Sequence, residues 1–258
     1  MRCLTIAIMS VLFALAGTVR IEAVSGPAVT GQVLELGTER PLAHVPVLIG
    51  TTLITEDCVP ATLPRDVLET TTDAEGRFAF PELPLRGGAF VEIFPADGHY
   101  ALHAQIDAAR TPPAAYHVSR ATEEELAWLA QLNADRARSG LTGRVVIDER
   151  AEETARYRAA DMALSGLFEH RDAFTHYQSI GGVYPPGPSS ASENIGLIST
   201  PSTWREVQRL FMESPSHHRA IVDPKVVWAG IAVAVRGKAP ASSSGPVDYY
   251  AQVFVNRP

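Results

Sequence analysis

The sequence predicts two domains of different class. An antiparallel β-sandwich is expected over residues 26–110 and a helix-and-sheet α/β sandwich over 122–258, joined by a linker at 111–121. Texture is the first observation: the front half is rich in Pro, Gly, Thr and Val, and the back half opens with TEEELAWLAQLNADRARSG. Charge is the second. Up to Ser119 there are 7 basic and 13 acidic residues, from Arg120 onward 15 and 16, so the front carries −6 and the back −1. The third is RTPPAAYHVSRA at 110–121, whose paired prolines suggest a stiff connection.

The front half reads as short strands. VTGQVLEL places Val29, Gly31 and Val33 on one face, and HVPVLIG alternates Val45, Val47 and Ile49. TTTDAEGRFAF carries a hairpin signal, with Asp73-Ala74-Glu75-Gly76 supplying the turn and Phe78 and Phe80 following on one face. AFVEIF and HYALHAQI add two strands. His99 and His103, four apart on one strand face, are expected to be solvated.

The back half begins with helices. Thr122 followed by Glu125 is a capping box, Leu126, Leu129 and Leu132 form the expected buried stripe, and Ser139-Gly140 ends the helix. RVVIDE leads into EETARYRAADMALSG, whose small residues favour close packing. A longer loop is expected over 171–191, then a third helix in TWREVQRLFMES. VVWAGIAVAV and DYYAQVFVN finish as strands, the first apolar enough to be central.

The overall composition is that of an ordinary globular chain, and the net charge of −7 argues against nucleic acid as a partner, since there is no basic excess to neutralise phosphates. MRCLTIAIMSVLFALA reads as a secretory signal peptide within residues 1–25, with cleavage after Ala16 or Ser25; its apolar run is shorter than the ~20 residues a membrane span needs. The alternative is an N-terminal membrane anchor. No later segment is apolar enough to span a bilayer. Without the leader Cys58 is the only cysteine, so no internal disulfide is expected.

Three spots could carry chemistry: Phe168-Glu169-His170, Ser192-Glu193-Asn194-Ile195-Gly196, and the pair His217-His218. Ser214 is a good N-cap and Pro215 a good first helical residue, which puts both histidines in a first turn. Neighbours on a helix point about 100° apart, so one site can hardly use both. A helix N-terminus also disfavours the imidazolium. Spacing alone does not choose between His217 and His218.

The front half, over roughly 27–108, resembles the carboxypeptidase regulatory-like (transthyretin-like, prealbumin/Ig-like) β-sandwich in its V-x-G-x-V, RPLAHVPVLIG, TTTDAEGRFAFPELP and VEIFPADGHYAL segments. From about Thr122 onward the chain resembles a bacterial CAP-superfamily (SCP-like) domain. LAQLNADRARSGL, AEETARYRAADMALSGLFEH, SENIG, FMESPSHHRAIVDPKVVWAGIAVAV and YYAQVF occur in that family's order. The resemblance implies an α-β-α sandwich with a cleft lined by histidines and glutamates. His170, Glu193 and His217 match the family's positions, and Glu213 is a possible fourth group. His218 stands where Arg is usual, Phe211 where Trp is, Ser192 where Gly is, and Arg158 where a histidine is common; Glu206 lies two turns earlier on the third helix and His176 matches no motif.

The expected function is an exported protein whose cleft binds a divalent ion such as zinc, held by His170 and His217, or a lipid, a peptide or a cell-surface protein. The alternatives are a metal-assisted hydrolase or peptidase with Glu193 as base, and a structural or adhesion scaffold in which the His/Glu set only pins loops. No activated Ser, Thr or Cys nucleophile is apparent.

Overall fold

The computed structural model describes residues 28–54, 62–81, 88–95, 98–107, 112–182, 190–240 and 245–256. The leader and Cys58 lie outside the described residues.

The front half forms two sheets. The first holds β1 (Val29–Glu35), β4 (Arg77–Phe80) and β7 (Ala115–Val118) in the order β4-β1-β7. The second holds β2 (Pro46–Gly50), β3 (Val67–Thr71), β5 (Gly88–Ile93) and β6 (Leu102–Asp107) in the order β3-β2-β5-β6. Val33, Phe78 and Tyr116 of the first sheet share one apolar core with Val47, Val91 and Ile106 of the second. Three expectations are corrected here. The Asp73–Gly76 turn forms, with Gly76 at φ 72° and Asp73 accepting from the Glu75 and Arg77 amides. Its two strands nevertheless part onto different sheets, because β3 pairs with β2 and β4 with β1. Residues expected as a linker contain β7, which pairs parallel with β1, so the front half is not purely antiparallel.

The back half is built on a mixed sheet, β8 (Val146–Ile147), β10 (Val226–Gly237), β11 (Val247–Asn256) and β9 (Ser190–Ser199), in the order β8-β10-β11-β9. All ten residues of β11 are buried, and their alternation assigns the two faces. Ala251 and Val253 meet Ala155 and Ala159 of α2 (Glu149–Ser165). Tyr250 and Phe254 meet Trp128 of α1 (Glu123–Arg138), Val207 and Phe211 of α4 (Trp204–Glu213), and Ile221 of α5 (Pro215–Ile221). Helices therefore cover both sheet faces in three layers. The small side chains of α2 let it lie close to the sheet, and Gly230 is where β10 comes nearest: a Cβ there would sit 1.9 Å from the Ala151 carbonyl oxygen.

The α1 capping box forms as expected, and α2 is capped by Asp148, which accepts from the Arg150 and Ala151 amides. The α1 stripe holds at Leu129 and Leu132 but not at Leu126, which is exposed, while Glu125 and Trp128 face inward. Glu125 is drawn in by Tyr100, whose hydroxyl donates to it at 2.6 Å, and by Arg156 at 2.7 Å. Within the expected loop lies α3 (Ala173–Ser179), and the SENIG segment is part of β9.

The two halves are docked through buried contacts. Ala101 and Asp148 form a parallel bridge. His103 is buried, not solvated: its Nδ1 donates to Asp148 Oδ2 at 2.9 Å and its ring stacks on Trp228 at 4.1 Å. The imidazole crosses from a front-half strand to the helix cap and central strand of the back half.

Candidate functional site

Glu193 sits on β9, opposite Val253 of β11. Its carboxylate is 5% exposed and is held from three directions. Arg158 on α2 donates Nε–H to Oε2 at 2.9 Å and an NH2 proton to Oε1 at 3.5 Å. The Arg171 amide donates to Oε1 at 2.9 Å, and His170 Nδ1 lies 3.2 Å from the same oxygen. A carboxylate only accepts, so Nδ1 of His170 carries the proton and, in the neutral ring, Nε2 carries the lone pair. The His170 side chain is 59% exposed, so this acceptor is reachable from solvent.

Arg158 is fully buried on the same site. Its remaining donors go to Asp161 Oδ2 at 3.0 Å and the Glu169 carbonyl at 2.9 Å. One guanidinium thus ties α2, the segment after it and β9 together.

His217 lies half-buried in the first turn of α5, its ring against Phe211 at 4.9 Å. Ser214 is the N-cap residue and Pro215 opens the helix, but the Ser214 hydroxyl makes no capping bond and lies 3.2 Å from the Ser216 hydroxyl. Burial pushes the His217 imidazole below its ordinary value, and the nearby charge of His170 adds to this, so neutral His217 is favoured.

A buried amide relay fixes α5 to the sheet. Asn194, next to Glu193, donates to the His217 carbonyl and to Gln252 Oε1, both at 3.2 Å. Gln252 donates to Gln208 Oε1 at 2.9 Å, Trp128 Nε1 donates to that oxygen at 2.7 Å, and Gln208 Nε2 donates to Asp135 Oδ2 at 2.6 Å. Arg136 then holds the end of α5 through the Ile221 carbonyl at 2.6 Å. Sequence reasoning named Asn194 only within the SENIG segment, with no role, and passed over Gln208, Gln252 and Arg136. Gln252 did carry a signal, as a polar residue inside an apolar strand pattern.

The other candidates lie elsewhere. Glu213 is exposed and bonds Arg209 on its own helix at 2.6 and 2.7 Å. Glu206 stands in the first turn of α4, its amide on the Thr203 cap. His176 stacks on Tyr157 at 3.9 Å. Leu167 and Phe168, just before His170, are exposed apolar side chains.

Among the described residues, no group of three or more His, Cys, Asp or Glu side chains is arranged to hold a metal ion. The donor set gives a reason: both Glu193 oxygens are taken by hydrogen bonds, and a permanent cation already lies beside them. These residues do not fit a divalent cation.

Among known families, residues 129–254 match the model described as the cysteine-rich secretory protein family, CAP. Three solved structures match parts of the chain. An outer surface protein of Borrelia burgdorferi is 15% identical with a TM-score of 0.40, and the match covers 53% of this chain and 95% of that one. An extracellular protein of Bacillus anthracis containing an SCP domain is 15% identical with a TM-score of 0.39, covering 52% of this chain and 40% of that one. A cysteine-rich secretory protein of Staphylococcus aureus is 16% identical with a TM-score of 0.39, covering 59% and 45%. This chain therefore spans less than half the length of the latter two. No curated protein matches it.

Proposed function

We propose that the chain, whose residues 129–254 match the CAP family model, is an exported binding protein whose cleft at His170, Glu193 and His217 takes an uncharged amphiphile outside the cytoplasm. The observation that carries this reading is the 3.2 Å approach of His170 Nδ1 to Glu193 Oε1. Glu193 orients Nδ1–H inward, which leaves Nε2 as an acceptor for a ligand hydroxyl or amide N–H. His217, whose imidazole burial holds below its ordinary value, adds a second ring nitrogen. Leu167 and Phe168 offer apolar surface next along the chain for the ligand's body. A lipid with a hydroxyl head satisfies both features, and a capped peptide is the other ligand of this chemistry.

Catalysis is not part of the proposal. Glu193 is tied to Arg158 and cannot serve as a base without breaking that pair. Export rests on the leader-like N-terminus, and no described helix is long and apolar enough to cross a membrane. The front half is proposed to be a transthyretin-like sandwich on the strength of its Asp73–Gly76 turn and its two sheets closing on one core.

The test is fluorescence titration of the purified protein with a labelled monoacylglycerol, beside a capped peptide library. Saturable binding is expected, weakened at least about tenfold, or about 1.4 kcal/mol, in His170→Ala/His217→Ala. It should be unchanged in Glu213→Gln. Equal binding by the double variant, with its fold intact by circular dichroism, would sink the cleft as the binding site.

A further inference from the structure

We infer that Arg158 decides the specificity of this cleft: its guanidinium takes the cationic place beside Glu193, so the His170–Glu193–His217 set binds no divalent metal ion. The inference is independent of which organic ligand the cleft takes.

The argument starts from charge. Arg158 is never deprotonated in a protein, so its positive charge is permanent. It is buried and lies 2.9 Å from Glu193 Oε2. A dication bound to Glu193 would face this monocation across a few ångströms of protein, where screening by water is weak. The second step counts acceptors. Glu193 Oε1 already takes the Arg171 amide and His170 Nδ1–H, besides the longer contact from Arg158. A metal on Glu193 Oε2 would have to displace the Arg158 Nε–H and strand that buried guanidinium donor, which is costly.

The third step counts ligands. Without Glu193, the nearby donors are Nε2 of His170 and the ring of His217. That is two, one short of the three protein ligands of an open zinc site. Glu213 does not add a third, because it lies on Arg209 at the helix surface. The guanidinium also does what a structural ion would do. Through Glu193, Asp161 and the Glu169 carbonyl it pins β9, α2 and the segment carrying His170. Hydrogen bonds in a planar fork stand in for coordination bonds.

The sequence motif and the geometry therefore point in opposite directions. A histidine at 158 would remove the permanent charge and free Oε2 of Glu193, while Oε1 would keep the Arg171 amide and His170. The test is zinc titration of chelator-stripped full-length protein, read by calorimetry and by thermal shift. Wild type is expected to show neither saturable one-to-one binding nor a rise in Tm. Arg158→His is expected to gain one-to-one zinc binding, lost again when His217→Ala is added. Saturable binding by wild type that disappears in His170→Ala/His217→Ala would overturn the inference. So would an Arg158→His protein that folds yet remains blind to zinc. Should that variant not fold, the comparison of wild type with the double histidine variant decides the matter alone.

Discussion

At Glu152, burial and the charge of nearby Glu125 push the carboxyl up to about 8. At Glu92, burial raises it to about 7, opposed by His103 and the Ile54 amide. Both groups lie in the zone where the halves meet: Glu152 beside Arg156, Glu92 within 3.8 Å of His103 Nε2. A carboxyl whose folded pKa lies above its unfolded value of about 4.3 binds more protons when folded. Its contribution to stability is present in acid and declines as pH rises through the folded value. Tm is therefore expected to fall as pH rises from about 5 to about 8.5, the window set by these two shifts. Glu152→Gln should flatten that fall, and calorimetry across pH checks it. A slope identical in wild type and variant would mean that Glu152 is not the group responsible. Glu35 acts in the opposite sense: Arg40, Thr38 and His99 hold it down to about 2, so its contribution is lost only in strong acid.

Helix α2 is the element on which the back half turns. Its small face allows contact with β10 at Gly230, its cap Asp148 receives His103, and its middle carries Arg158. Gly230→Ala places a methyl against the backbone of Ala151, which no rotamer change can relieve. The expected loss is about 3 kcal/mol, the upper end of ordinary overpacking. Urea unfolding measures it, and a loss under about 0.5 kcal/mol, the level of an ordinary surface change, would show that α2 is free to shift. Because Arg158 moves with α2, the monoacylglycerol affinity should drop in the same variant. The termini of α1 were legible in the sequence, since capping acts between residues three apart or fewer, whereas α2 starts at Glu149, one turn before the expected EETARYR segment. The pairing of β3 and β4 was not legible. Their turn is local, but each strand buries its apolar face only by joining a different partner, β2 or β1. The linker reading failed for a similar reason: the prolines at 112 and 113 are followed by Ala-Tyr-His-Val, whose Tyr116 and Val118 alternate into the sandwich core. Of the expected α1 stripe Leu132 is buried and Leu129 packs on the core, but Leu126 is turned out and polar Glu125 points inward to reach Tyr100 and Arg156, partners that no window along the helix contains.

At the scale of the whole molecule, the front half is no detached spacer. His103 and Asp148 form a buried contact across the halves, Ser119 donates its amide to Glu149 at 2.8 Å, and Tyr100 reaches Glu125. Wild type is expected to unfold in a single calorimetric transition. His103→Ala removes the stacking on Trp228 and leaves Asp148 short of a donor, a loss of about 1–3 kcal/mol for the unpaired group alone. Two separated transitions are expected in that variant. A single transition of unchanged width would show that the coupling runs through the other contacts.

The order of the motifs and the α1 capping box were readable from the chain, and a family pattern made His170, Glu193 and His217 the candidates, because each depends on residue type at short range or on such a pattern. The sequence also marked Arg158 as a departure. Only the folded arrangement revealed that this arginine is spent on Glu193, that Glu213 turns away to Arg209, and that an amide relay from Asp135 to Asn194 seats His217. Those facts depend on which side chains meet after strands and helices from distant parts of the chain have packed. A carboxylate's meaning is set by its nearest cation, and that neighbour is chosen in three dimensions.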